Sequence, residues 1–124
     1  MVVNHYHLWG EDALNFGNFT VYLGCLTCNQ YASDSVHYKY GLYGGQYSAT
    51  SIWYDYGQYG STYSNRSVCY SYASSPPRVY DDNGAYYGEM TVNNFRSQQI
   101  EEYVPWLTSA AYDPFNLSIG PVCN

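Results

Sequence analysis

An internal repeat constrains this chain more than any other feature. Residues 31–46, 47–62 and 63–78 align without a gap at a period of 16. Ser35, Ser51 and Ser67 fall in register, and so do Val36, Ile52 and Val68 beside them. Tyr38, Tyr54 and Tyr70 align next, then Tyr40, Tyr56 and Tyr72. The copies approximate Y-S-x-x-S-[VI]-x-Y-x-Y-G-x-Y-G, the third being degenerate towards its end. Glycine recurs every few residues, so neither a long helix nor a long strand fits inside one copy. A short turn or extended piece fits, opened by a serine that bonds its own backbone and closed by a glycine-allowed reversal. One β-branched side chain per copy buries too little to stand alone. The copies must therefore stack, with that residue inward and tyrosines flanking it. Strict register separates the repeat from a flexible low-complexity tract.

Composition limits what the repeat can serve. The 124 residues suit one domain, and 18 of them are tyrosine, so tyrosine rings must supply much of the packing. The net charge is −6, and the only basic residues are Lys39, Arg66, Arg78 and Arg96. Nucleic acid is excluded as a partner, because phosphate binding needs clustered Lys and Arg. No stretch approaches the length of a membrane span. The opening residues MVVNHYHLWGED lack a basic and apolar leader pattern. That fits either a cytosolic protein or a mature chain without its leader.

More conventional elements flank the repeat. Residues 1–18 read as an N-terminal arm or edge strand, and 19–124 as a single domain. Phe19, Val21, Leu23 and Cys25 alternate onto one face of a half-buried strand. Residues 78–93 form a predicted hairpin around Asp81-Asp82-Asn83-Gly84, with Asn-Gly supplying positive φ angles. Ile100, Tyr103, Val104 and Leu107 share one face of a predicted helix over about 98–111, short or kinked because Pro105 interrupts it. Residues 112–124 read as an extended strap. The expected fold class is α+β, mostly β and irregular: one compact domain of glycine-turned repeats, a β-hairpin and one short C-terminal helix.

Four cysteines, Cys25, Cys28, Cys69 and Cys123, favour a disulfide framework and hence an oxidising compartment. The expected pattern is two long-range bridges, each joining one of Cys25 and Cys28 to Cys69 or Cys123. Such bridges stabilise by about 3–5 kcal/mol each. Zinc and redox chemistry remain as alternatives for Cys25-x-x-Cys28. Neither finds its usual context, a second Cys/His pair or a following helix.

No catalytic motif occurs, and no catalytic residue, metal site or cofactor is predicted. His5-x-His7 could place two imidazoles on one strand face, but no third ligand is near in sequence. The Asp81-Asp82-Asn83-Gly84 run has oxygen donors yet lacks a calcium loop's length and closing Glu. Glu101-Glu102 reads as a solvated helix face. Sequons at Asn18, Asn65 and Asn116 mark candidate glycosylation sites on the surface. Trp53, Tyr38, Tyr54, Tyr56 and Tyr59 are the candidate interaction surface, since aromatic rings make sticky protein contacts and stack on sugars.

Tyr22-Leu23-Gly24-Cys25-Leu26-Thr27-Cys28-Asn29, the repeats, Ser75-Pro76-Pro77 and the hairpin ending Met90-Thr91-Val92-Asn93 together resemble a group of small bacterial proteins. That group carries an F-L-G-C-L-x-C-N entry followed by S-I-x-N-x-Y-G-x-Y-G-S-x-Y-S repeats and has no settled activity. The resemblance covers about residues 22–107 and implies a bacterial origin and export. This chain departs consistently, with Tyr38, Tyr54 and Tyr70 where the group's pattern has Asn. The expectation is a non-catalytic structural or adhesive protein, extracellular or at the cell surface. It would assemble as a homo-oligomer or polymer, in a filament joined by strand addition through residues 1–18. The alternative is a carbohydrate-binding module that uses the repeat face to hold a glycan. An enzyme stands third.

Overall fold

The computed structural model describes residues 4–123. Residues 1–3 of the expected arm, and residue 124, lie outside the described residues. Four short strands form one antiparallel sheet: β1 (Tyr6–Gly10), β2 (Val21–Cys25), β3 (Arg78–Asp81) and β4 (Tyr86–Glu89). Their order is β2-β1-β3-β4. Leu8, Leu23 and Val79 face one side of the sheet and are fully buried. The domain is compact, mostly β and irregular, with one short C-terminal helix.

The order corrects the expectation for the start of the chain. β1 is neither an arm nor an edge strand, because it pairs with β2 on one side and β3 on the other. Alternation buries Leu8, and that burial holds the strand in the middle of the sheet. The sheet's outer strands are also partly covered. Beyond β2, Cys25 donates to Asp34 O (2.7 Å) and accepts from Val36 N (3.0 Å). Beyond β4, Glu89 donates to Gln98 O (2.8 Å) and accepts from Ile100 N (2.9 Å). Open edges for strand addition are thereby blunted. Glu89 is buried, and Arg96 meets it through two hydrogen bonds of 3.0 and 2.8 Å.

The hairpin from β3 to β4 forms as expected, but its turn differs. Gly84 donates to Asp81 O and has φ +81°, while Asn83 is not among the residues of positive φ. Asp81 Oδ1 accepts from the backbone of both Asn83 and Ala85 at 2.9 Å, so the carboxylate stabilises the turn.

The repeats are chains of turns. Ala32 O accepts from Ser35 N, Ser35 O from Tyr38 N, Tyr38 O from Gly41 N, and Gly41 O from Gly45 N. The second copy repeats this sixteen residues on, from Ser48 O–Ser51 N to Gly57 O–Ser61 N. Within each copy the aligned serine hydroxyl (Ser35, Ser51, Ser67) accepts from the amide two residues later (His37, Trp53, Cys69). That local bond is why serine recurs at this position. It also aims the next residue inward: Val36, Ile52 and Val68 are all fully buried. Gly60 closes the second copy against carbonyl oxygens. A Cβ there would meet Tyr54 O at 2.4 Å and Ile52 O at 2.6 Å.

A 3-10 turn (Glu101–Tyr103) leads into α1 (Val104–Thr108), which is shorter than the sequence pattern suggests. Pro105 does not interrupt this helix. It lies in the first turn, where its missing N–H costs nothing. Trp106 is fully buried and stands edge-on to Trp53 (5.6 Å between ring centroids) and Phe115 (5.0 Å). The strap returns along α1, with Val122 and Cys123 donating to Trp106 O and Leu107 O.

Both disulfides are present, but paired otherwise than expected. Cys25 joins Cys28, and Cys69 joins Cys123. The turn after β2 brings the Cys25 and Cys28 α-carbons to 5.5 Å, within reach of a local bridge. In the loop-entropy picture, a bridge three residues apart stabilises by about 2 kcal/mol and one 54 apart by about 4 kcal/mol. Only the second spans the fold. It fastens the third repeat to the C-terminal strap.

Candidate functional site

Strand alternation sends His7 and Trp9 of β1 to the side opposite Leu8. Register sets His7 beside Tyr80 of β3 and Trp9 beside Tyr22 of β2. The Trp9 and Tyr22 rings lie 5.0 Å apart. Together with Phe19 they line an open cleft of about 820 Å³, also lined by Asp34, Asp81 and Asp82. The guanidinium of Arg78 lies 3.8 Å from the Phe19 ring centroid and braces it.

A chain of polar contacts crosses the cleft. Asp82 Oδ1 lies 2.5 Å from His7 Nε2, His7 Nδ1 lies 2.8 Å from the Tyr22 hydroxyl, and that hydroxyl donates to Asp34 Oδ2 at 3.2 Å. Burial, followed by the adjacent Asp34 carboxylate, raises the Tyr22 hydroxyl well above its ordinary range, so it stays a neutral donor. The His5 backbone N–H, then the His7 ring, hold the Asp82 carboxyl below its ordinary value. The result is an aromatic floor with oxygen acceptors fixed around it. Such a surface suits a ligand with an apolar face and a hydroxylated rim.

The repeats create a second surface. Tyr31, Tyr47 and Tyr63 recur sixteen residues apart and are exposed, as are Tyr40, Tyr56 and Tyr72. Behind the second row, Tyr38, Tyr54 and Tyr70 are half-buried. Each meets its outward neighbour nearly at right angles, at centroid distances of 6.1, 6.2 and 5.9 Å. The inner ring braces the outer one in all three copies.

The five predicted surface residues therefore divide. Tyr56 is 88% exposed. Tyr54 is its half-buried support, and Tyr38 supports Tyr40 in the same way. Trp53 turns inward to Trp106, and its indole N–H donates to Val36 O at 2.8 Å. Tyr59 is buried, with its hydroxyl donating to Glu11 O. Both inward residues give up water for carbonyl partners, as buried Trp and Tyr require. His5 and His7 do not converge on a shared ligand: His5 faces Thr27, and His7 faces Tyr22 and Asp82. Asn18, Asn65 and Asn116 are all exposed. Sequence reasoning missed the cleft. Alternation in residues 5–9 and 19–25 carried a signal, but only strand pairing brings the two segments together.

No family model, curated protein or solved structure was found to match this chain. Among the described residues, no helix is long and apolar enough to cross a membrane.

Proposed function

We propose that this chain is a non-catalytic extracellular structural or adhesive protein whose contact surface is the double row of repeat tyrosines. The supporting observation is the regular outward placement of Tyr31, Tyr47 and Tyr63 and of Tyr40, Tyr56 and Tyr72. Rings left in water at fixed intervals make a large contact area at small entropic cost. The paired disulfides fit an oxidising environment, and the resemblance to exported bacterial proteins points the same way. Copies associate through these rows rather than through β1, which is already paired on both sides.

The test is a Tyr40→Ser/Tyr56→Ser/Tyr72→Ser variant. It should keep its near-ultraviolet dichroism while losing concentration-dependent self-association in sedimentation velocity and adsorption to surfaces. Unchanged association in the folded variant would sink the proposal.

A second function is supported by the cleft over β1, β2 and β3: binding a carbohydrate. Trp9 and Tyr22 offer a stacking floor, with Asp34 and Asp82 as hydroxyl acceptors. Glycan-array signal lost on Trp9→Ala would favour it, and a blank array for the wild-type chain would count against it.

A further inference from the structure

The β1–β2 register has a chemical consequence outside the cleft. Because His7 pairs with Cys25, the chain just before β1 runs beside the turn that closes the Cys25–Cys28 bridge. Tyr6 O accepts from Leu26 N, and both His5 Nδ1 and Tyr6 N bond the Thr27 hydroxyl, at 2.9 and 3.1 Å. His5 is thereby held over the turn. One ligand atom each from His5, Cys25 and Cys28 lies within 4.8 Å of the others. A tetrahedral zinc ion with such donors needs them about 3.5–4 Å apart. Opening the disulfide would let the sulfurs separate toward that spacing, while the imidazole is already close.

We infer that Cys25, Cys28 and His5 form a redox-conditional metal site. Oxidised, the two sulfurs are joined. A dithiol or phosphine reductant supplies two electrons, and two protons complete a pair of thiols. The thiols then give up those protons to bind a zinc-type dication as thiolates, and His5 contributes a neutral nitrogen. Thr27 restrains the ring, as partners outside the ligand set do in metal centres. Three protein donors leave one tetrahedral position to solvent.

The two disulfides differ in span. Each joins one buried cysteine (Cys25 or Cys69) to one half-buried cysteine (Cys28 or Cys123), but the first closes a three-residue separation and the second spans 54 residues. The shorter loop contributes less to stability, so opening it costs the fold less. Reduction of the local pair also leaves the strap fastened.

The experiment uses the full chain under anaerobic mild reduction by a phosphine. Alkylation and peptide mass analysis should find Cys25 and Cys28 modified before Cys69 and Cys123. Cobalt(II) added to that reduced chain should give one equivalent of thiolate charge-transfer bands and intense tetrahedral visible bands, bleached by zinc. The Cys25→Ser/Cys28→Ser variant, checked for folding by near-ultraviolet dichroism, should show neither. His5→Asn should bind cobalt at least tenfold more weakly. A reduced chain without cobalt bands would overturn the site, as would bands that survive the double substitution. Simultaneous opening of all four cysteines would refute independent reduction. Unchanged affinity in His5→Asn would remove the imidazole from the ligand set and with it the three-donor site.

Discussion

The sheet and the repeats solve the same problem by different means. In the sheet, strands far apart in sequence pair their backbones, and Leu8, Leu23 and Val79 bury together on one face. In the repeats, most backbone bonds close over three or four residues, and each copy fully buries one serine and the β-branched residue beside it. Beyond the backbone bonds of Val36 to Cys25 and of Val68 to Val92, long-range order in the repeats comes from the residue after the β-branched one. His37 packs on Trp106 and Phe115, Trp53 packs on Trp106, and Cys69 is bonded to Cys123. One slot in the repeat thus fastens three copies to the C-terminal unit by three kinds of contact. Local turn chemistry gives a copy its shape, while a single inward pair of residues gives it its place.

If that contrast holds, the repeats depend heavily on few side chains. Ile52→Ala should cost about 2–5 kcal/mol, the range for deleting a buried aliphatic side chain. Denaturant midpoints would measure it, and amide exchange should speed up through the second copy before the sheet. A loss spread evenly over both regions would break the comparison. Gly60→Ala should cost about 1–3 kcal/mol, because the added methyl is forced onto two backbone oxygens that cannot rotate away. Gly84→Ala probes the sheet's hairpin instead. Nothing lies within 4 Å of that position, so only its positive φ resists the change. Thermal unfolding should rank Gly60→Ala as the more damaging, and the reverse ranking would mean that the repeat turns yield more easily than the hairpin.

The repeat was legible because its signals are local. A serine that bonds the second amide ahead, a β-branched neighbour and closing glycines all act within a few residues, so spacing alone revealed the inward row, though not which tyrosines face outward. Trp53 and Tyr59 were misplaced for a physical reason. Their slots look polar-aromatic in sequence, but the carbonyls that satisfy them belong to Val36 and Glu11, on distant segments. The position of β1 was hidden in the same way. Five residues with weak alternation do not say how many neighbours a strand will have. Disulfide partners depended on a turn geometry at Cys25–Cys28 that sequence separation does not encode. The cleft, assembled from three paired strands, was the least readable feature.

The smallest expected effect tests the slot that joins the first copy to the rest. His37 is buried, with Nε2 donating to Leu26 O at 2.7 Å and Nδ1 lying 2.5 Å from the Ser118 hydroxyl. Burial lowers its affinity for a proton, outweighing the opposite pull of the Leu26 carbonyl and Asp113. Its folded value therefore lies below the ordinary 6.5. In the interval between those values the unfolded chain binds more protons than the folded one, so stability falls as pH falls. The slope cannot exceed about 1.4 kcal/mol per pH unit for one proton. Asp12, Asp81 and Asp82 act in a separate window. Hydrogen bonds hold all three below 3.8, so their contribution persists above that pH and is lost only beneath it. Denaturant midpoints from pH 8 to pH 3 should therefore show an upper step that His37→Asn removes and a lower step that it leaves in place. Trp53 and Cys69, in the same slot, carry no proton to titrate, so amide exchange during the upper step should quicken in the first copy ahead of the other two. Equal response in all three copies would mean that the slots do not fasten them independently.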